Sequence, residues 1–345
     1  MATMREAVVS GPQAFEVRDV EAPEVGPGTV LVRVRNCGIC GSDLHFYRGD
    51  FPMQPGRRLG HEFAGEVAAV GEGVEGLTPG QPVAIEPVEV CRQCDLCLTG
   101  RWQICSQARG YGLHLPGALA EYLLVQPYTV HPLPDGVDTE VGALLEPLSV
   151  AVHGLRQVGL SVGERVTILG SGTIGLMALV AAQAMGASDV FMTARYPHQR
   201  EAAETLGADR VVEANEGVVQ ELTDAFGDRP PEVVVETVGG KADTLNEAIT
   251  LAARGGRVSL LGVFTAPVTI NATMTVLKEV QVVGGITYGS PGPRSDYEVA
   301  LDIAAKRTEE LRTIITHRVP LADIAQGFAT AADKTQRSIK VTVEV

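Results

Sequence analysis

A short apolar run, Arg165-Val-Thr-Ile-Leu169, passes directly into Gly170-Ser-Gly172-Thr-Ile-Gly175. A helical pattern then runs from Leu176 to Met185 and stops at Gly186, and Val190-Phe-Met-Thr193 is the next apolar run. A lone G-x-G-x-x-G is weak evidence. One that leaves a strand and opens a helix inside a unit of this length predicts an open, doubly wound parallel sheet that binds a dinucleotide. The glycines permit the tight turn and let the backbone approach a pyrophosphate at the helix N-terminus. Gly170, Gly172, Thr173, Ile174 and Gly175 are therefore cofactor-binding candidates. The plain alternative is a glycine-rich turn without a ligand. Three later runs argue against it: Val233–Glu236 ends in Thr237-Val238-Gly239-Gly240, Gly256–Leu261 in Gly262, and Val280–Val283 in Gly284-Gly285. Dinucleotides lie across the carboxyl ends of such strands, which adds Thr237, Val238, Leu261 and Gly262 to the candidates.

The first half of the chain reads differently. Glu6-Ala-Val-Val, Val30-Leu-Val-Arg-Val-Arg, Glu66–Val70 and Val83–Ile85 are strand-like runs separated by Gly/Pro turns, so that up to about residue 150 a compact, mostly β domain is expected. Two clusters of metal-ligand residue types lie in it. Cys91-x₂-Cys94-x₂-Cys97-x₇-Cys105 puts four thiols on one short stretch, about residues 88–108. An S₄ zinc site suits that spacing. Neighbouring disulfides at x₂ spacing are sterically poor, and ferredoxin-type cluster runs are spaced differently. Such a site leaves no open position, so it holds a lobe together and does no chemistry. The second cluster is Cys37-Gly-Ile-Cys40-Gly-Ser42-Asp43-Leu-His45 followed by Gly60-His61-Glu62. A mixed thiolate, imidazole and carboxylate set suits a catalytic zinc with a position kept for water or substrate. Taken alone, a buried Cys, a core His and a solvated Glu would explain it as well.

The 345 residues suggest two domains, and a formal net charge of −14 without a Lys/Arg-rich run argues against nucleic acid as a partner. Met1–Ser10 lacks a signal-peptide core, and the longest strongly apolar segment, Ile174–Ala182, is too short for a bilayer. A cytoplasmic protein with no membrane partner is expected, and six clustered cysteines in it favour metal over disulfides.

These motifs, in this order, resemble the zinc-containing medium-chain alcohol dehydrogenases over essentially the whole chain. Gly60-His61-Glu62-x₂-Gly65-x₅-Gly71-x₂-Val74 looks like the family's zinc signature, and Gly142-Ala-Leu-Leu-Glu146-Pro-Leu-Ser looks like its polyol branch, which includes sorbitol and threonine dehydrogenases. The resemblance implies an α/β architecture: a GroES-like, mostly β catalytic domain from residues 1–152 and 290–345, and a Rossmann domain from 153–289. It implies two zinc ions per chain. Cys40 and His61 would hold the catalytic one with Glu62 as third ligand, and Glu146 would be a ligand or hold the water in the open position. Ser42 would bond the substrate hydroxyl, His45 would pass its proton to solvent, Asp43 would support His61, and Lys340 would approach the cofactor phosphates. The implied reaction is hydride transfer between a secondary alcohol and a nicotinamide cofactor, by a homo-oligomer, tetramer or dimer. Where the polyol branch often carries Tyr after the relay His, this chain has Phe46 and then Tyr47, so the polyol contacts do not transfer directly. Two other readings compete. One is a zinc-free quinone or enoyl reductase of the same superfamily, which would lack both ligand clusters. The other is a zinc- and nucleotide-binding regulator without turnover, which would not need Ser42 and His45 at relay spacing.

Cofactor choice is read from the residues themselves. NAD-binding folds carry an acid at the end of the second strand for the adenosine ribose. Here that position is Ala194, followed by Arg195, Tyr196 and Arg200, while Asp189 sits at the strand's other end. Without the acid a 2′-phosphate is not repelled, and Arg195 offers it a planar fork of donors. Arg200 would add a second charge and Tyr196 would pack on the adenine. NADP is the expected preference, with NAD possible.

Overall fold

The computed structural model describes residues 3–52 and 54–345. Met1 and Ala2, where the reading of the N-terminus begins, lie outside them. The chain divides into two compact units, Met1–Glu146 with Ala304–Val345, and Pro147–Ile303. The sequence reading puts the boundaries at 152/153 and 289/290. The observed ones fall inside the helices Leu145–Gln157 and Asp296–Arg312. Helical periodicity runs on through both points, so it carries no sign of a boundary there.

The first unit is built on a seven-stranded sheet. Its main path runs Ile315–Pro320, Lys340–Glu344, Val30–Gly38, Glu62–Val70, Pro82–Ile85 and Val130–Pro132, and Tyr122–Val125 also pairs with Val30–Gly38. Val30, Val32 and Val34 are buried while Arg33 between them is exposed, the alternation expected of a strand with one face on the core. Register then places the functional residues. The last strand runs antiparallel to Val30–Gly38, with Val343 opposite Cys37 and Thr342 opposite Gly38. On the other side Gly38 pairs with Glu62. A chain end and an early strand are thus brought to one place. A helix, Gly41–Arg48, follows at once. It has no sequence signature, because only Asp43 and Leu44 on it are buried and no apolar stripe forms.

The second unit holds a six-stranded, all-parallel sheet in the order Arg210–Glu213, Asp189–Ala194, Arg165–Leu169, Val233–Glu236, Arg257–Leu260, Gln281–Gly284. Counted within the unit this is 3-2-1-4-5-6, the doubly wound order whose reversal point lies beside its first strand. Arg165–Leu169 leads into the glycine turn and then into the helix Thr173–Ala184, which is buried along Gly175–Ala182. A side chain at Gly175 would place its Cβ 1.9 Å from the Gly170 carbonyl oxygen, so only glycine lets the helix start this close to the strand end.

Candidate active site

Cys40 ends the segment after Val30–Gly38 and caps the helix Gly41–Arg48. Glu62 opens the neighbouring strand, and His61 directly precedes it. One ligand atom from each of Cys40, His61 and Glu62 lies within 4.8 Å of the others. Glu62 reaches this place because Gly38, opposite it, has no side chain; a Cβ there would sit 2.2 Å from Glu62 Oε2. Asp43 ties the group together. Its Oδ2 accepts the Cys40 backbone N–H at 3.0 Å, and its Oδ1 stands 3.6 Å from His61 Nδ1. Glu146, in the first turn of Leu145–Gln157, is buried and lies outside the three-ligand group.

The charges around this group call for a cation. Burial works to lower His61, but Asp43, then Cys40, then Glu146 outweigh it and hold the imidazole well above its usual value. Burial pushes Glu146 up to about 7, with Glu62 and Asp43 adding to it and His61 and Lys340 opposing. Three carboxylates and a thiol thus share one place, with only the Lys340 ammonium and the His61 imidazole to answer them. A dication bound by thiolate, imidazole and carboxylate resolves that excess, and the donor types are those zinc accepts.

Lys340, which the sequence reading sends toward the cofactor phosphates, has its partners within the first unit. It is 1% exposed, and its Nζ donates to Glu62 Oε2 at 2.5 Å and to the Ile39 carbonyl at 3.2 Å. The last strand carries it into the first unit's core, where its charge is spent on Glu62. Burial lowers its pKa, but Glu62 and Cys40 raise it further, so it stays charged.

Ser42 and His45 lie one turn apart on the same helix, spacing that puts both on one face. His45 Nδ1 is 2.8 Å from Asp50 Oδ2, a partner the sequence reading missed. With the Nδ1 proton held by Asp50, Nε2 is the basic nitrogen. Of the aromatic residues near the motif, Phe46 and Phe51 have ring centroids 5.8 Å apart. Tyr47 packs on Phe15 and Phe328 in the core, and the Tyr111 hydroxyl is committed to Glu89 at 2.7 Å.

The four-cysteine lobe passes a geometric test. Zinc–sulfur bonds near 2.3 Å in a tetrahedron set the sulfurs about 3.8 Å apart, whereas a disulfide would hold them near 2.05 Å. Cys91–Cys97 and Cys94–Cys105 stand at 3.8 Å and Cys105–Cys91 at 3.6 Å. The backbone N–H groups of Gln93 and Cys94 pull the Cys91 thiol down to about 6, which prepares it as a thiolate ligand.

In the second unit Ala194 is the last residue of its strand and is buried. Arg195 is exposed, with its guanidinium 5.8 Å from the Tyr196 ring centroid. Tyr196 stacks on His198 at 5.7 Å. Arg200 Nη1 donates to the Val211 carbonyl at 2.6 Å, so its expected second charge rests on its remaining N–H groups. Asp189, at the strand's far end, pairs with Arg165. The register also places Glu213, exposed, beside Ala194 on the next strand.

The turn itself is held by the expected Thr237 together with Ser171, Thr193 and Glu236, which the sequence reading did not single out. Thr193 Oγ1 accepts the Gly170 N–H at 2.9 Å, and Ser171 Oγ donates to the Thr193 carbonyl at 2.7 Å. The Thr237 hydroxyl donates to the Leu169 carbonyl at 2.7 Å. Glu236 Oε1 accepts the N–H groups of Val238 and Gly239 and the Thr244 hydroxyl, at 2.8, 2.9 and 2.7 Å. A lone carboxylate ending the apolar run Val233-Val-Val was the available signal. Leu261 and Gly262 follow the next strand, and their N–H groups donate to the Glu236 carbonyl at 2.9 and 3.0 Å.

Known proteins resemble this chain over nearly its whole length. Residues 26–135 match the family described as alcohol dehydrogenase GroES-like domain, and residues 173–306 match that described as zinc-binding dehydrogenase. The chain is 33% identical over 336 residues to a 2-dehydro-3-deoxy-L-galactonate 5-dehydrogenase of Pseudoalteromonas atlantica, covering 97% of this chain and 96% of that protein. It is 32% identical to the sorbitol dehydrogenase of Homo sapiens, covering 94% of this chain and 91% of the relative. A solved putative zinc-binding dehydrogenase from Sinorhizobium meliloti 1021, bound to NADP, superposes with a TM-score of 0.90 at 33% identity over 100% of both chains. The chain therefore belongs to the zinc-containing medium-chain alcohol dehydrogenase family, in its polyol dehydrogenase branch, and is an oxidoreductase.

Proposed function

We propose that this protein transfers hydride between a secondary alcohol, on a polyol, sugar, cyclitol or amino alcohol, and a nicotinamide cofactor, with NADP preferred over NAD. The observation that carries the reading is the clustering of Cys40, His61 and Glu62 beside the helix that carries Ser42 and His45. When bound there, zinc supplies Lewis acidity toward the alcohol oxygen. Cys40, His61 and Glu62 hold it, Asp43 orients His61, and Glu146 attends the open position. Ser42 bonds the substrate hydroxyl and accepts its proton. His45, steadied by Asp50, carries that proton toward solvent. Cys91, Cys94, Cys97 and Cys105 hold a second, structural zinc. The first unit is the catalytic domain and the second binds the cofactor through its glycine turn, Ala194 and Arg195.

Two further readings belong to this proposal. The protein works as a homo-oligomer. Gln281–Gly284 is an edge strand of the parallel sheet, and Val276, Leu277 and Ile286 nearby in sequence are each at least 60% exposed. A sheet edge with apolar neighbours is a ready template for a second copy. The unbridged thiols suit a reducing compartment such as the cytoplasm. The functional test is a panel of polyols, sugar acids, cyclitols and threonine, each offered with NADP and with NAD, followed by nicotinamide absorbance. Turnover of a secondary alcohol, lost on removing zinc and restored by adding it, is expected. No turnover of any member in either direction by zinc-loaded protein would refute the reading.

A further inference from the structure

Apart from the metal and cofactor candidates, a cavity of about 350 Å³ opens in the first unit, lined by Glu6, Arg18, Arg57, Arg58 and His114 among others. Three guanidiniums meet one carboxylate there, in a chain whose overall charge is −14. Glu6 is fully used. Its Oε1 accepts Arg18 Nε and Nη2 at 2.9 and 2.8 Å, and its Oε2 accepts Arg58 Nη1 at 2.7 Å. Each guanidinium carries five N–H groups, so most donors in the cluster remain after this one carboxylate is satisfied. The Arg58 side chain is 9% exposed, yet its Nε finds no acceptor among the described residues. A buried guanidinium donor without a partner is costly unless something supplies the acceptor.

The frame around these donors is rigid. The Gly56 N–H donates to the Val9 carbonyl at 2.7 Å, the Val9 N–H to the Arg57 carbonyl at 2.9 Å, and the Gly117 N–H to the Arg58 carbonyl at 3.0 Å. The Arg57–Arg58 backbone is thereby clamped between the strand Thr3–Gly11 and the Gly117 segment. His114 Nδ1 accepts the Gly110 N–H at 3.1 Å, which leaves the ring proton of the neutral imidazole on Nε2 as a further donor. Arg57 is half-buried, and no side-chain acceptor meets its guanidinium among the described residues.

We propose that this cavity binds a phosphate group, as the free ion or on a small phosphate monoester. Two unmatched positive charges fit a dianion, and arginine forks with an imidazole N–H fit its tetrahedral oxygens. A monocarboxylate leaves one charge unmatched. Because the cavity is held by backbone hydrogen bonds, little ordering is required on binding.

The test uses the zinc-loaded full chain with nicotinamide cofactor at saturation, so that the phosphate sites of the second unit are filled. Inorganic phosphate and glycerol 3-phosphate are titrated in separate arms, with acetate and with chloride at matched ionic strength as controls. Melting temperature and the Arg58 Nε–H resonance are followed. Saturable stabilisation by either phosphate, together with a shift of that resonance, is expected. The two arms tell free phosphate from a monoester. Arg57→Gln, which leaves the Glu6 pairs intact, should weaken the affinity about tenfold or more, as loss of a charge-assisted hydrogen bond does, at unchanged turnover. The proposal fails if phosphate does no more than chloride, or if Arg57→Gln and Arg18→Gln bind it as tightly as wild type.

Discussion

Lys340 Nζ lies 2.5 Å from Glu62 Oε2, and the two side chains are 2% and 1% exposed. The last strand of the chain therefore supplies the charge partner of a proposed zinc ligand. Removing one member of a buried pair leaves the other charge uncompensated, at a cost of about 3–5 kcal/mol. Lys340→Met should lower the urea midpoint accordingly and reduce zinc retention at the catalytic position. Lys340→Arg should recover part of both. Unchanged stability and metal content in Lys340→Met would show the pair to be incidental.

The two cysteine sites should respond differently to loss of a ligand. Structural zinc contributes folding free energy directly, about 10 kcal/mol or more at neutral pH in isolated zinc fingers. Cys94→Ser should lose one zinc equivalent and destabilise the protein. Cys40→Ser should lose the other equivalent and abolish turnover with the fold retained. Elemental analysis with circular dichroism on both variants checks this, and a single zinc per chain in active wild type would overturn it.

The proton route makes a graded prediction. Ser42→Ala should lower kcat about 10²–10⁴-fold, the range of a general acid–base contribution. His45→Ala should lower it less and move the pH optimum. Asp50→Asn, which weakens the 2.8 Å hold on His45 Nδ1, should shift the pH profile in the same direction by a smaller amount. A Ser42→Ala enzyme at the wild-type rate at neutral pH removes the route.

Acid should undo one defined contact. Burial raises the Glu121 pKa, but the hydrogen bonds from the Arg5 backbone N–H at 2.7 Å and its guanidinium at 3.0 and 3.1 Å outweigh it, and the net shift is downward. A carboxyl depressed in the folded state stabilises above its unfolded pKa, about 4.3, and loses that contribution as pH falls through the folded value. The stability gap between wild type and Glu121→Gln should be present at pH 7 and shrink below about pH 4. The pair is partly exposed, so the gap is at most about 1 kcal/mol. Paired urea titrations at the two pH values measure it.

What could be read before the structure, and what could not, divides along chain locality. The four cysteines and the glycine turn each lie within a short stretch, so spacing alone conveys their geometry. The parallel sheet follows from apolar runs of β-branched residues ending in glycine. Lys340 with Glu62 depends instead on the antiparallel register that sets Thr342 opposite Gly38, and Glu213 beside Ala194 depends on a parallel register. No local pattern encodes either. Gly41–Arg48 was missed because a helix that buries only Asp43 and Leu44 has no periodic stripe.

That second register sharpens the question of cofactor choice. Ala194 ends its strand, Arg195 follows exposed, and no acid stands at the position that bonds an adenosine ribose in NAD-binding folds. These features favour a 2′-phosphate. Glu213, exposed and in register with Ala194, places a negative charge at the same edge of the sheet and opposes it. In the proposed mode the arginine fork would bond the 2′-phosphate directly, whereas a solvated carboxylate one strand away is screened by water and salt. The arginine should win, and wild type should show the higher kcat/KM with NADP. Ala194→Asp combined with Arg195→Leu should reverse the preference. Glu213→Gln should strengthen it, mostly through KM for NADP and most visibly at low salt. Steady-state kinetics with both cofactors on all three proteins decide the matter: a wild type that favours NAD defeats the reading, and a Glu213→Gln enzyme with unaltered KM shows that carboxylate to be outside the site.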